Sequence, residues 1–569
     1  MSLSNTKGGD SAGKKHPRFA SFLLGFSMFA TGACGLVFEY ILSTVSTYIL
    51  GNSIEQFSIT IALMLLMMGV AGYVQKFMSD RYLIEKFIFL ETFLALLGGY
   101  APIAIYASFG FVPDHFMVIN YFFVMAIGFL IGFEIPLVLR INEKYSETLG
   151  TNIAGVVGPD YIGSFAGAIV WTFFLLKTFP LTEISFLVGG TNFFIAAITF
   201  MYFMKFGLVK YRVVCVILIV VSAALLAFGY NNNRDWNLNL EQKLYDSKIV
   251  FSKTTKYQRL VLTYDAPLND YRFFINGNLQ FSSVDEAIYH EHLVHPAFAL
   301  VQNPERVLIL GGGDGLALRE VLKHPQVQNV LLVDLDPDMV KVCSTNPILT
   351  RLNNHAFEGA KVIAKASDAV SGVGWTRVFQ DTGKVRPSGE PETQRIASVE
   401  IMNVDADRFL DQAPGQWDIV IIDFPDPSSV ELAKLYSREF YRKLASAAAP
   451  GAMVVVQATS PYHARESYLC IRRTLESAGW RTLPYHDNVP SFGDWGWIMA
   501  WKNRDEGEIR KRIAATETFG VDTAYLTPDA FRAALSFGKG SLATSETRIN
   551  TLMEPALLTY YLDESWKAE

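Results

Sequence analysis

Cysteines and clustered positive charges are scarce in this sequence, and each shortage argues against a class of protein. Only four cysteines occur in 569 residues, with no CxxC pair and no His-rich spacing, so neither a disulfide framework nor a metal site is indicated. The formal charge is −6, and residues 231–569 contain no basic cluster. The composition therefore argues against a nucleic-acid partner and makes a cationic ligand the easier one.

The second half of the chain lacks the long apolar runs that fill the first half. Residues 231–569 alternate charged and apolar residues in the ordinary globular way, whereas residues 19–230 consist of apolar runs separated by short polar turns. Each run is long enough to cross about 30 Å of hydrocarbon. We therefore predict a cytoplasmic tail at 1–18 and an all-α transmembrane bundle at 19–230. The candidate spans lie near residues 20–49, 55–75, 84–109, 115–139, 153–177, 182–204 and 211–230.

Positive charges are distributed unevenly between these spans. Twelve Lys and Arg residues precede the first span or follow the second, fourth and sixth, and the other connections contain only Lys177. The positive-inside rule then places the N-terminus in the cytoplasm and residue 231 onward on the outer, periplasmic side of a bacterial inner membrane. The alternative is that the span near 153–177 is re-entrant, because Pro159 and Asp160 interrupt it, and the globular half then faces the cytosol.

Three acids, Glu39, Glu134 and Asp160, fall inside the predicted spans. Charges at that depth are costly and usually face a bundle interior or a watery path. They are either paired or near an interface, or they are stations for a polycation. Gly163 and Gly167 form a small-xxx-small pair that predicts close packing of two helices.

A polar link at 231–246 and a small antiparallel β-subdomain are predicted within residues 231–300. Asn269-Asp270 and Asn276-Gly277 are turn signals between short alternating segments. A helix follows at 282–300, carrying His290, Glu291 and His295. Their spacing is not HExxH, so we predict no metal there.

The most informative stretch is residues 306–338. An apolar strand at 307–310 runs into five residues, Gly-Gly-Gly-Asp-Gly, and a helix follows at 316–323. Asp334 ends the next strand, 23 residues beyond Gly311, where a carboxylate can bind the ribose hydroxyls of a nucleoside. Leu316 stands where a dinucleotide fingerprint has its last glycine. The spacing is therefore closer to an S-adenosyl pocket than to a nicotinamide pocket.

Further aspartates follow the strands of the globular half. Asp314 lies inside the glycine turn, where it repels phosphate and attracts a cation. Asp405, Asp423 and Asp426 also follow predicted strands, at the edge where open parallel sheets bind ligands. Each is alternatively a helix cap. With Asp334 they predict one acidic crevice in an α/β Rossmann-like, class I methyltransferase-like domain at 301–569.

Two aromatic residues, Phe492 and Trp495, lie in the loop at 488–496. An aromatic face can hold a diamine chain and its ammonium by cation–π contact. A plain hydrophobic turn is the alternative interpretation.

Taken together, the sequence resembles the spermidine synthases, the polyamine aminopropyltransferases, and in particular their membrane-bound form. The resemblance covers most of residues 245–569. It is carried by Tyr257-Gln258, NGNLQFSSVDEAIYHEHLVHP, LILGGGDGLALREVLKHP, VDLD, WDIVIIDFPDP, KLYSREFY, VVVQATSPY and NVPSFGDWGW. It implies transfer of the aminopropyl group of decarboxylated S-adenosylmethionine, a co-substrate, to a diamine such as putrescine, with no bound cofactor and no metal.

The resemblance also implies roles for individual residues. Asp423 is the expected catalytic base, Asp314 holds the propyl ammonium of the donor, Asp334 its ribose and Asp405 its adenine amino group. Gln258, Gly311 and Gly313 complete the donor site, and the expected acceptor site consists of Tyr289, His290, Asp426, Gln457, Phe492 and Trp495. A diamine nitrogen with a pKa of about 10 is protonated at neutral pH, so a carboxylate base is also required on chemical grounds.

Three departures from the family pattern bear on the acceptor. Phe492 replaces a tyrosine, Ser428–Glu431 replaces a GPAE run, and residues 365–396 form an insertion. Two other functions stay open: a methyltransferase using intact S-adenosylmethionine, and a non-catalytic polyamine-binding or transport protein. The expected partners are a diamine or polyamine and the lipid bilayer, and the sequence is compatible with a homodimer.

Overall fold

The computed structural model describes residues 17–50, 53–363, 397–413, 416–543 and 547–564, which form two compact units, Met1–Asp246 and Ser247–Glu569. The predicted insertion at 365–396 and the tail at 1–18 lie outside the described residues, except that residues 17 and 18 begin the first helix. We describe each unit separately.

The N-terminal unit contains seven helices long and apolar enough to cross a membrane within the described residues, as predicted. They are α1 (Pro17–Leu50), α2 (Ser53–Val74), α3 (Leu83–Phe111), α4 (Phe116–Asn142), α5 (Leu149–Val170), α6 (Leu181–Lys205) and α7 (Arg212–Gln242). Helix α5 passes Pro159 without a break and continues through a π-helical turn, Trp171–Leu175, to Thr178. Helix α7 extends to Gln242, so most of the predicted polar link is helical.

Glycines allow α5 to lie directly against α1. A Cβ on Gly167 would come within 2.6 Å of the Ala33 carbonyl oxygen, and one on Gly163 would collide with the Phe29 carbonyl oxygen. The small-xxx-small pair therefore packs two helices, as predicted. Large apolar side chains such as Phe165 and Phe173 remain exposed on the outside of the unit.

The acids predicted inside the spans differ in burial. Glu134 is buried, whereas Glu39 and Asp160 are half-buried. A fourth acid, Glu91 in α3, was not predicted to matter and is 0% exposed.

The C-terminal unit begins with an antiparallel sheet of four strands in sequential order. These strands are β1 (Lys248–Thr254), β2 (Arg259–Asp265), β3 (Asp270–Ile275) and β4 (Asn278–Ser282). Asn269 and Asn276 occupy the two turns with φ of 50° and 51°, a conformation that asparagine tolerates better than most residues. The hairpin signals in the sequence are confirmed.

The larger sheet has eight described strands in the order β11-β12-β10-β9-β5-β6-β8-β7. The strands from β10 to β7 are parallel, β12 is antiparallel to β10, and β11 is antiparallel to β12, so β12 alone runs against the other described strands. They are β5 (Arg306–Gly311), β6 (Asn329–Asp334), β7 (Lys361–Ile363), β8 (Ser398–Asn403), β9 (Trp417–Asp423), β10 (Ala448–Gln457), β11 (Arg481–Val489) and β12 (Gly493–Trp501). This arrangement confirms the predicted Rossmann-like, class I methyltransferase-like fold.

Helices cover both faces of this sheet. They are α8 (Glu286–Leu300), α9 (Leu316–Leu322), α10 (Pro337–Thr345), α11 (Pro347–Leu352), α12 (Ala406–Leu410), α13 (Val430–Ala433), α14 (Arg438–Ala447), α15 (Arg465–Ser477), α16 (Glu506–Ala515), α17 (Pro528–Ala534) and α18 (Ala556–Glu564). Alternate residues of β5 enter opposite cores: Val307 and Ile309 lie in one, Leu308 and Leu310 in the other. Both faces are thus buried, as in a parallel sheet between helical layers.

Candidate active site

A cavity of about 490 Å³ lies at the carboxyl ends of β5, β6, β8 and β9. The small sheet contributes residues 275, 276 and 278–280 to its wall, and the loop before β12 contributes Phe492. Its acidic lining residues are Asp314, Asp334, Asp336, Asp405, Asp423, Asp426 and Glu431, and no Lys or Arg is among the described residues that line it. The predicted acidic crevice is therefore present, and its charge favours a cation.

Glycines shape the turn between β5 and α9. Gly311 has φ of +84°, which favours glycine, and a Cβ there would collide with the Asp423 carbonyl oxygen. The Gly312 N–H donates to that same oxygen at 3.2 Å. Asp314 Oδ1 accepts the N–H of Leu316 at 2.8 Å, at the start of α9. The turn thus holds two carboxylates, Asp314 and Asp423, at one side of the cavity.

Asp334 lies at the end of β6, as predicted for a ribose-binding carboxylate. Its Oδ2 accepts the Gly313 N–H at 3.1 Å and its Oδ1 accepts the Asp336 N–H at 2.8 Å. Burial raises the pKa of Asp334 to about 7. A Cβ on residue 313 would come within 2.5 Å of Oδ2, so glycine is required for this approach.

Asp405 lines the cavity, as predicted, and it also caps helix α12, which was the alternative interpretation. Its Oδ1 accepts the N–H groups of Asp407 and Arg408 at the start of α12. Its Oδ2 forms an ion pair with Lys434 Nζ at 2.8 Å. Burial alone would raise the pKa of Asp405, but Lys434 and the two N–H groups lower it. Lys434 belongs to the KLYSREFY motif, but the sequence did not indicate that this lysine pairs with Asp405.

Asp423, the predicted base, is 3% exposed at the end of β9. Tyr289 Oη donates to its Oδ1 at 2.7 Å, and Oδ2 has no hydrogen-bond partner among the described residues. Burial, followed by the charge of Asp314, raises the pKa of Asp423 to about 6. One oxygen is therefore held in place while the other can accept a proton.

His290 was predicted to bind the acceptor, but it is not among the residues that line the cavity. It lies behind Asp314 and Asp423, and one atom of each of the three groups lies within 4.8 Å of the others. Burial would lower the pKa of His290, but hydrogen bonding to Glu286 and the nearby carboxylates raise it to about 9. At neutral pH the ring is therefore a cation that balances the aspartates, and it lacks the lone pair that a metal ligand needs.

Asp426 also lines the cavity, in the loop that follows β9. Its Oδ2 accepts a hydrogen bond from Tyr561 Oη at 3.0 Å, and its Oδ1 lies 3.3 Å from Gln457 Nε2. Burial raises the pKa of Asp426 to about 6. Tyr561, on α18, was missed because an uncharged residue in a short apolar helix carries no sequence signal for a distant site.

Aromatic rings form one wall of the cavity. The Phe492 ring lies 4.9 Å from Trp495 and 6.0 Å from Tyr289, between ring centroids. Asp285 accepts the N–H and Oγ–H of Ser491, which fixes the loop at the start of α8. The loop is therefore more than a plain hydrophobic turn. Gln258 also lines the cavity, so of the predicted site residues only His290 stands outside its wall.

The remaining candidates from α8 are structural. Glu291 accepts the backbone N–H groups of residues 524, 525 and 526, at 2.5, 2.9 and 2.7 Å. His295 contacts Glu320 at 2.9 Å and His324 at 3.0 Å. Glu291, His295 and Glu320 do come within 4.8 Å of one another, but both Glu291 oxygens are occupied by the backbone.

Comparisons with known proteins find a matching family model, similar proteins and similar solved structures. The family model described as the spermine/spermidine synthase domain matches residues 286–378 and 393–511. A protein named polyamine aminopropyltransferase 2 from Ralstonia nicotianae is 36% identical over 554 residues, covering 96% of this chain and 98% of its own. A polyamine aminopropyltransferase from Oceanobacillus iheyensis is 35% identical over 541 residues, covering 94% and 95%. A crystal structure of spermidine synthase with the transition state analogue AdoDATO matches 52% of this chain and 88% of its own, with a TM-score of 0.41 and 22% identity.

Proposed function

The chain belongs to the spermine/spermidine synthase family of polyamine aminopropyltransferases, and from that premise we propose that it is a membrane-bound enzyme whose acceptor is putrescine. The reaction takes the aminopropyl group of decarboxylated S-adenosylmethionine and gives spermidine and methylthioadenosine. The observation that carries this proposal is the cavity wall, which has seven acidic residues and, among its described residues, no Lys or Arg.

The donor is assigned to the end of the cavity beside the glycine turn. Asp334 binds the ribose hydroxyls, Asp405 the adenine amino group, and Asp314 the ammonium of the propyl chain. The backbone approach at Gly311 and Gly313 and the side chain of Gln258 complete this end. Because Asp314 and Asp423 lie together, the reacting carbon next to the sulfonium is brought to the base.

The chemical step needs one free amine lone pair. Asp423 Oδ2 takes a proton from the attacking ammonium, and the freed nitrogen attacks the propyl carbon bonded to sulfur. The C–N bond forms as the C–S bond breaks. The electron pair of the C–S bond returns to sulfur, which leaves neutral methylthioadenosine. Tyr289 holds Asp423 Oδ1 in line throughout.

The acceptor is assigned to the opposite end. Asp426, with Tyr561 and Gln457, binds the distal ammonium, and Phe492 and Trp495 enclose the methylene chain. His290 is assigned an indirect role: its positive charge offsets the electrostatic repulsion between the carboxylates of Asp314 and Asp423.

We assign the seven helices to the membrane because they are long and apolar and because large apolar side chains are exposed on the outside of the unit. The charge count favours the outer side for the C-terminal unit, and α5 is continuous where a re-entrant segment was the alternative. Fusion of a reporter active only outside the cytoplasm after residue 569 tests this side. Activity of a cytoplasm-only reporter instead would overturn it.

The catalytic proposal is tested with the purified full-length protein, decarboxylated S-adenosylmethionine and a panel of amines. We expect methylthioadenosine and spermidine by mass spectrometry, with putrescine as the best acceptor. Intact S-adenosylmethionine is the matched control. A methylated amine from that control, or no product with any amine, would overturn the proposal.

A further inference from the structure

Two acids are buried in the N-terminal unit without the partners that buried acids normally have. Glu91 on α3 is 0% exposed and Glu134 on α4 is 2% exposed. Both carboxylate oxygens of Glu91 and Oε1 of Glu134 lack a hydrogen-bond partner among the described residues. Helices α3 and α4 pack against each other, and the two carboxylates are close enough to interact electrostatically. An unpaired buried carboxylate pair requires neutralisation, by protons or by a cation.

An unpartnered amide lies at the same level of the bundle. Asn192 on α6 is 0% exposed, and neither its Oδ1 nor its Nδ2 has a partner among the described residues. Helices α3 and α6 pack antiparallel: Ser185 Oγ donates to the Gly99 carbonyl, and a Cβ on Gly189 would lie 2.5 Å from the Ala95 carbonyl oxygen.

The spacing along these two helices places the amide beside the acid. From Ser185 to Gly189 the partner on α3 moves back by four residues, from 99 to 95. One further turn brings Asn192 level with Glu91, on the face that α6 turns toward α3. The amide is an observation independent of the acids, since it offers an acceptor and two donors to whatever they bind.

Two side chains of α1 border the same region. The Thr31 hydroxyl donates to the Met28 carbonyl of its own helix at 3.3 Å, and the Cys34 thiol, within electrostatic range of both carboxylates, reaches the Val188 carbonyl of α6 at 3.8 Å. Asp160 on α5 is half-buried and lies within electrostatic range of Glu134. The polar groups thus converge from α1, α3, α4, α5 and α6.

We propose that Glu91, Glu134 and Asn192 form a binding site for a protonated amine inside the helical bundle, distinct from the catalytic cavity. The proposal rests on the membrane assignment of the proposed function and is independent of its chemistry. An ammonium group donates three hydrogen bonds, which the two carboxylates and Asn192 Oδ1 can accept. Asp160 supplies a third carboxylate nearby, so linear amines with more than one ammonium are the favoured class.

A divalent metal fits the same residues less well. Ca²⁺ and Mg²⁺ take six or more oxygen ligands. Among the described residues, Glu91 and Glu134 belong to no group of three or more acids, His or Cys whose ligand atoms all lie within 4.8 Å of one another. Mg²⁺ therefore serves as a competitor in the test.

The site is tested by labelling the full-length protein in liposomes with a hydrophobic carbodiimide, which modifies protonated carboxyl groups in apolar surroundings. Mass spectrometry reads modification at Glu91 and Glu134, and exposed Glu147 is the internal control. We expect both buried acids to be modified, and saturating spermidine or putrescine to reduce their modification at least tenfold. NaCl or Mg²⁺ at equal ionic strength should not protect. The Asp314→Asn/Asp426→Asn double variant, weakened for amines in the catalytic cavity, should keep the protection.

Modification without protection by any amine, absence of modification at both acids, or protection lost in the double variant would each overturn the site. Turnover is measured in parallel: Glu91→Gln, Glu134→Gln and the control Glu147→Gln should all form methylthioadenosine at the unmodified rate. Protection in a preparation without turnover contradicts the catalytic proposal alone. Turnover without protection contradicts the amine site alone.

Discussion

The two units of this protein treat their buried acids in opposite ways. In the C-terminal unit, Glu286 is bound by both terminal nitrogens of Arg319 at 2.8 and 2.9 Å. Glu320 has Arg319, Lys323 and His295 around it. In the N-terminal unit, Glu91 has no hydrogen-bond partner among the described residues.

Asp423 is the instructive intermediate case. It belongs to the C-terminal unit, yet its Oδ2 is buried without a partner in the described chain. A buried acid that is neutralised by Arg, Lys or His side chains serves stability, whereas a buried acid with an oxygen free of partners is open to a substrate or a proton. Burial alone does not distinguish the two uses, and the partners do.

The strongest test of this distinction is the Asp423→Asn variant. Asparagine keeps the hydrogen bond from Tyr289 but cannot accept the proton of the attacking amine. We expect turnover to fall by about 10²–10⁴-fold, the usual contribution of a general base. Donor binding, measured by calorimetry, should change little. Full turnover would remove Asp423 from the mechanism.

The partnered acids are tested by Arg319→Met, which leaves Glu286 and Glu320 without their shared cation. Loss of one member of a buried ionic network costs about 3–5 kcal/mol, so we expect a large drop in the thermal unfolding temperature in detergent. The control is Arg510→Met, in an exposed pair with Glu506, which should leave it unchanged.

The thermal unfolding temperature of Glu91→Gln tests the unpartnered acid in the same way. Removing an unpartnered carboxylate should leave stability unchanged or raise it. A loss as large as that of Arg319→Met would mean that Glu91 is a structural acid after all.

The pH dependence of turnover follows from the protonation of the proposed base, Asp423. The pKa of Asp423 is raised to about 6, so its base form is present above that pH and is lost as the pH falls through 6. We expect kcat/KM for putrescine to fall about tenfold per pH unit below 6. A profile flat down to pH 4 would contradict the assignment.

The smallest expected effect concerns Tyr561→Phe. Loss of one hydrogen bond to Asp426 costs about 1 kcal/mol, so the KM for putrescine should rise about fivefold with little change in kcat. Tyr560→Phe is the matched control, because Tyr560 does not line the cavity. An unchanged KM would separate Tyr561 from acceptor binding.

Sequence reasoning located most of the cavity because its acids follow strands, and parallel strands bring their carboxyl ends to one edge. It failed where a contact depends on distant packing: Tyr561 reaches Asp426 across 135 residues. Several uses of one residue can also look alike in a sequence: His290, predicted to bind the acceptor, lies beside Asp314 and Asp423 but does not line the cavity.

In the first half, hydropathy predicted all seven long helices because each lies in one apolar run. It did not reveal Glu91, since a single acid in such a run hardly changes its average. Which acids lie together is set by helix packing, and even the spacing that predicted packing, Gly163 and Gly167, did not identify the partner helix.

The close contact between the glycine turn and β9 has a practical consequence for engineering. Gly311 leaves no room between the donor turn and the Asp423 backbone, and Gly312 is hydrogen-bonded to it. A mutation that reshapes this turn will also displace Asp423. Under the proposed assignment of donor and base, donor preference and rate are therefore linked traits at this turn, and directed evolution there would exchange one for the other.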